Sequence, residues 1–208
     1  MTMTTHSRID LREAREQDLD RVIDVLQAAN REFEPVLPPS FYRAYLANVL
    51  DVRSRLAESQ LLVADQGTGS LVGTITLYPD ASKEGWGWPS GWAGIRAVAV
   101  EPSARGLGIG RRLAEACITR SRGRGAPTIC LHTAPFMDAA TRMYESVGFR
   151  RAPEFDGDAG EMLASAPIAP RIPALAYRLD LSDGDDARPP SAAVSAEPIE
   201  HAQQRRGQ

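Results

Sequence analysis

Residues 98–113 read "VAVEPSARGLGIGRRL". A strand-like run stops at Glu101-Pro102, three glycines alternate with Leu107 and Ile109, and a helical pattern begins at Ile109. Alternating glycines at such a junction let several backbone N–H groups converge with no side chain in the way. A helix N-terminus leaves donors unpaired and carries a partial positive charge. Together these predict an anion site suited to phosphate or pyrophosphate, with Arg105 and Arg111 adding charge at its edge. Two familiar phosphate loops do not fit. The P-loop needs GxxxxGK[ST], and no lysine follows here. The dinucleotide fingerprint needs GxGxxG in an early βαβ unit, whereas this GxGxG lies late in the chain.

The pattern on either side alternates strands and helices. "SRIDLREA" reads as a strand, and Leu19, Val22, Ile23 and Leu26 follow at helical spacing. A second helix is expected from Ser40 as N-cap, carrying Phe41, Tyr45, Val49 and Val52. "QLLVADQ" and "SLVGTITLYP", joined by "GTG", predict a hairpin, and "AGIRAVAV" another strand. After the glycine turn, Leu113, Cys117 and Ile118 form one helical stripe. "TICLHTA" is a strand. "MDAATRMYESVGF" is a short helix with Asp138 as N-cap and Gly148 at the left-handed C-cap. "RRAPEFD" and "IPALAYRLDL" close as strands. Two helix-bridged crossings call for some parallel pairing and the β-β steps for antiparallel pairing, so a mixed sheet covered by helices follows.

The 208 residues suit one domain with tails. Residues 1–7 are expected to fray. Residues 183–208, rich in Pro, Ala, Ser and charge, are expected to be a disordered tail, leaving a domain over 8–182. No apolar run approaches a membrane span, and "MTMTTHSRID" lacks a signal-peptide core, so the expected compartment is cytoplasmic with no membrane partner. A net charge of −3 argues against general nucleic-acid binding. Cys117 and Cys130 make no metal spacing with His6, His132 or His201, so both are expected to be buried thiols and no metal is implied.

The string around the glycine turn resembles the acetyl-CoA motif of the GNAT family of N-acetyltransferases: a hydrophobic strand, a proline, then R/Q-x-x-G-x-G/A, here on Arg105, Gly108 and Gly110. A second signature of that family, A-x-x-x-Y-x-x-x-G-F, is matched by Ala140, Tyr144, Gly148 and Phe149. The resemblance covers roughly residues 8–181. It implies an α+β fold with a mixed, mostly antiparallel sheet flanked by helices, in which a splayed parallel strand pair forms the acetyl-CoA cleft. It implies acetyl-CoA as co-substrate, with Val98, Ala99 and Val100 beside the pantetheine arm. Arg105, Gly106, Gly108, Ile109, Gly110 and Arg111 would then surround the pyrophosphate.

The same resemblance implies direct attack by a primary amine in a ternary complex, with Tyr144 protonating the departing thiolate. Many members carry an acid on the strand before the glycine turn. "WAGIRAVAV" carries Gly94 and Arg96 there and no acid, which leaves the base open. His132, at the end of the flanking strand, is the candidate, with Glu154 and Asp156 ranked below it. A small-molecule amine is the expected acceptor, with a protein N-terminus or lysine as alternatives. Homodimers are frequent in that family. A non-catalytic acyl-CoA-binding module is the competing reading. Trp86, Trp88 and Trp92 would either line an acceptor pocket or pack over the sheet end.

Overall fold

The computed structural model describes residues 9–67, 69–163 and 171–182. The expected frayed start and C-terminal tail lie outside these residues. A single mixed sheet carries the fold. It comprises β1 (Asp10–Glu13), β2 (Gln60–Asp65), β3 (Leu71–Tyr78), β4 (Ala93–Val100), β5 (Thr128–Thr133), β6 (Arg150–Arg151) and β8 (Pro173–Asp180), in the order β1-β2-β3-β4-β5-β8-β6. A short β7 (Gly157–Asp158) also pairs with β8. Every neighbouring pair is antiparallel except β4–β5.

Helices cover both faces. On one lie α1 (Leu19–Asn30), α2 (Pro39–Leu50) and the single turn α3 (Val52–Arg55); on the other lie α4 (Ile109–Gly123) and α5 (Asp138–Ser146). Strand alternation sorts the core between them. Leu61 and Val63 of β2 join Val22, Val25 and Leu26 of α1. Leu62 and Ala64 join Leu113 and Cys117 of α4. β3 is buried throughout, as a central strand covered on both faces must be. Gly73 on β3 lets α4 sit close, because a Cβ there would meet Ile109 Cγ2 at 2.8 Å.

Local details depart from the sequence reading. Ser40 is not the N-cap of α2: Pro38 is, and Pro39 opens the helix at a position where its fixed φ and missing N–H cost nothing. Asp138 is the first residue of α5 and Met137 its N-cap. "RRAPEFD" is a strand only over Arg150–Arg151; Pro153 then starts a 3-10 turn. A short helix, α6 (Ala159–Leu163), was not expected. Gly148 takes the left-handed C-cap at φ 101°, and both cysteines are buried free thiols, as anticipated.

The site is created where β4 leaves β5. They pair only at Ala93–Ile129, Gly94–Cys130 and Ile95–Leu131. Against β3, Thr76 faces Arg96 and Thr74 faces Ala99, so two residues of β4, Ala97 and Val98, oppose Ile75 alone. This is a β-bulge, which bends its strand. Ala97 sits at φ 51°, the only described non-glycine with positive φ. The bend falls two residues past the last β4–β5 pair and opens the sheet into a V.

Candidate active site

The V and the glycine turn share one cleft of about 660 Å³. Val98, Ala99, Val100, Arg105, Gly106, Gly108, Ile109, Gly110 and Arg111 all line it. Glu101 donates its N–H to Val72 O on β3 at 2.9 Å. Backbone groups alternate sides along a strand, so those of Val98 and Val100 face the open side of the V. Gly106 and Gly108 have φ of 81° and 71°, a conformation a side chain would strain. Gly110 is helical, and its missing side chain leaves space beside Val100 and Met143.

The N–H groups of residues 106–111 have no hydrogen-bond acceptor among the described residues, and the first helical partner is Arg112 N–H to Gly108 O at 3.0 Å. An array of free donors at the start of a four-turn helix fits a pyrophosphate. The flanking arginines are less available than the sequence suggests. Arg105 donates to both oxygens of Glu32 at 2.9 and 2.8 Å and to Ala29 O at 3.0 Å, tying the end of α1 to the turn. Arg111 pairs with Glu115 one helical turn on.

Beyond Val98 the cleft meets a smaller chamber of about 120 Å³. Tyr45, Val98, Phe136, Met137 and Ala140 line both spaces. The rings of Phe33, Phe41, Tyr45 and Phe136 pack edge-to-face or stacked at this neck. Tyr45 donates to Asn30 Oδ1 at 2.5 Å, which fixes its ring.

Tyr144 and His132, the two catalytic candidates, both line the chamber. Tyr144 is buried, and burial pushes its phenol well above the usual tyrosine range, so it keeps its proton. Its hydroxyl has no hydrogen-bond partner among the described residues. His132 Nε2 lies 2.9 Å from Phe155 O. A carbonyl only accepts, so Nε2 carries the hydrogen and Nδ1 is left as a bare, buried acceptor. Burial holds the imidazole below its usual range, against the pull of Phe155 O and Asp156, so it is neutral at pH 7. Glu154 and Asp156 are placed elsewhere. Glu154 pairs with Arg178, and Asp156 binds Arg151 and the Ala176 N–H; neither lines the chamber.

The sequence reading missed Glu84. It ends the 3-10 turn Ala81–Glu84 before β4 and points under the sheet, its side chain 2% exposed. Oε1 is 3.5 Å from Arg96 Nη1, and Oε2 has no hydrogen-bond partner among the described residues. Burial pushes this carboxyl up to about 7, against the pull of Arg96 and of the neighbouring Trp88 indole N–H. Arg96 is itself held by Asn48 Oδ1 and by the Trp86 ring, 4.1 Å from its guanidinium carbon. Trp88 and Trp92 pack on Phe155 at the sheet end, one of the two placements expected of the tryptophan loop, while Trp86 lines the chamber. An acid from a preceding loop has no spacing signature, which is why Glu84 escaped notice.

Comparison with known proteins agrees with this geometry. The model of the acetyltransferase (GNAT) family matches residues 22–149. A mycothiol acetyltransferase of Thermobispora bispora is 39% identical over 83 residues, 40% of this chain and 28% of that protein. A glucosamine 6-phosphate N-acetyltransferase of Trypanosoma brucei brucei is 28% identical over 148 residues, 71% of this chain and 93% of that protein. The chain spans about a third or less of the length of the two mycothiol acetyltransferases it matches from Thermobispora bispora and Thermomonospora curvata. Among solved structures, the PaiA N-acetyltransferase of Thermoplasma acidophilum in complex with coenzyme A superposes with a TM-score of 0.61 at 14% identity, over 83% of this chain and 99% of that one. At that identity the likeness is one of fold. Among the described residues no cluster of metal-ligating side chains occurs, and no helix is long and apolar enough to cross a membrane.

Proposed function

Because the chain belongs to the acetyltransferase (GNAT) family, we propose that it transfers the acetyl group of acetyl-CoA to a primary amine by direct attack in a ternary complex. The observation that carries this reading is that the cleft and the chamber share Val98, Met137 and Ala140 in their walls, with Tyr144 on the chamber wall. The free N–H groups of residues 106–111 receive the pyrophosphate. The outward backbone groups of Val98 and Val100 pair with the pantetheine amides as a surrogate strand, which satisfies an otherwise open strand edge. This places the thioester in the V, beside the neck.

The amine nitrogen attacks the thioester carbonyl carbon, forming the C–N bond, and collapse breaks the C–S bond. The Tyr144 hydroxyl donates to the departing sulfur. Its raised pKa keeps the donor form present at every physiological pH and makes it a hydrogen-bond donor to developing charge more than a strong acid. Incubating the protein with acetyl-CoA and a panel of primary amines, with detection of free CoA thiol, tests the reading. Amine-dependent thiol release supports it. Binding of acetyl-CoA with no release for any amine overturns it in favour of a non-catalytic acyl-CoA-binding module.

A further inference from the structure

The chamber differs in chemistry from the cleft that leads to it. Phe41, Val49, Phe136, Met162, Leu163 and Ala174 give it an apolar wall. At about 120 Å³ it is close to the ~150 Å³ apolar cavity size that accepts benzene. Its charged groups lie together on the side beneath β4 and β5. Arg96 there is committed to Asn48, Trp86 and Glu84. Arg55, the next guanidinium inward, donates to the carbonyls of Asn48 and Val49 at the C-terminal end of α2. Among the described residues the only guanidinium in the chamber lining is Arg96, whose charge already faces Glu84. Glu84 Oε2 is a buried acceptor that makes no hydrogen bond among the described residues, with the Trp88 indole N–H beside it.

We propose that this chamber is the acceptor site, that it takes a compact and mainly apolar primary amine, and that Glu84 receives the proton this amine must lose. The inference rests on the acetyl-transfer reading above and deepens it. A sugar phosphate would leave hydroxyls and a phosphate unpaired against Phe, Leu and Met, each at a desolvation cost. A branched-alkyl or phenylalkyl amine leaves only its nitrogen to satisfy, and Glu84, His132 and Tyr144 all contribute to the chamber lining.

The proton balance closes. The acceptor arrives as R–NH3+, and one proton passes to the Glu84 carboxylate. The freed lone pair forms the C–N bond, and the C–S bond breaks. Tyr144 gives its proton to sulfur and regains one from the nitrogen as the amide forms. The products are the acetamide, CoA thiol and the proton on Glu84, which leaves to solvent. The groups facing Glu84 are Arg96 from β4, Arg55 from α3, Tyr78 from β3, Cys130 from β5 and the Trp88 indole. Burial pushes the Tyr78 phenol and the Cys130 thiol up, so both keep their protons near neutral pH.

The test compares 2-phenylethylamine, 3-methylbutylamine, glucosamine 6-phosphate and L-lysine as acceptors, using thiol release by wild type and Glu84→Gln and calorimetry with acetyl-CoA. The expected result is that the two apolar amines exceed the two polar ones in kcat/KM by at least tenfold. Wild-type kcat should rise with pH through about 7, and Glu84→Gln should lose that rise and at least tenfold in kcat while binding acetyl-CoA as wild type does. A polar amine preferred, no turnover of either apolar amine, or an unchanged pH profile in Glu84→Gln overturns this inference and leaves acetyl-CoA binding intact. Failure of wild type to bind acetyl-CoA at all overturns the acetyl-transfer reading itself.

Discussion

Glu84 Oε1 and Arg96 Nη1 stand 3.5 Å apart in the chamber wall, the two side chains 2% and 10% exposed. A buried pair at that separation compensates its desolvation only in part, and the carboxyl accordingly sits up near 7.

The first prediction is a pH signature of stability. Glu84 has a higher pKa folded than unfolded, so the folded state holds more protons between about 4.5 and 7. Its contribution is full below 4.5 and is lost as pH rises through 7. Glu84→Gln cannot ionise, so its stability relative to wild type should grow between pH 5 and 8, by up to roughly 3 kcal/mol. Urea melts at the two pH values measure this. His132, held low by burial, works in the opposite direction in wild type and mutant alike and cancels in the difference.

The second concerns the bulge. Ala97 at φ 51° carries roughly 1–2 kcal/mol of strain. Glycine relieves that strain and costs about 0.5–1 kcal/mol in chain entropy. Ala97→Gly should therefore leave Tm unchanged or slightly raised, and Ala97→Val should lower it by several degrees. A stabilised Ala97→Val would show that the bend of β4 is not set at this residue.

The third concerns Tyr144. Its hydroxyl has no partner among the described residues, so Tyr144→Phe should change stability by less than about 1 kcal/mol. Loss of a general-acid contribution should lower kcat by roughly 10²-fold or more with little change in KM. Steady-state kinetics on any productive amine, beside a thermal melt, separates the two effects.

The fourth concerns the cleft rim. Glu32 holds Arg105 and adds negative charge where a pyrophosphate would lie. The pair is half exposed, so its coupling is of the order of 0.2–1 kcal/mol. Glu32→Gln should tighten acetyl-CoA binding by roughly 1.5- to 5-fold, with the gain shrinking at high salt.

Much of this was legible in the sequence. The glycine turn and the "RMYESVGF" helix are local patterns, and all nine residues assigned from them to acetyl-CoA line one cleft. The chamber was not legible, because it is tertiary. Glu84 comes from a loop, Arg96 from β4, His132 from β5, and Met162 and Leu163 from α6, a helix too short to leave a periodicity. The charge of Arg105 was misjudged for the same reason, since its partner Glu32 lies on a distant segment.

The most direct test of the central claim, that the glycine turn and β4 hold acetyl-CoA, is calorimetry of acetyl-CoA on wild type and Gly110→Leu. Gly110 is helical, so leucine favours the helix by roughly 1 kcal/mol while filling the space beside Val100 and Met143. The account predicts one acetyl-CoA bound per wild-type chain and at least tenfold weaker binding by a folded Gly110→Leu. No binding by wild type at millimolar acetyl-CoA, or equal binding by the two proteins, would contradict it.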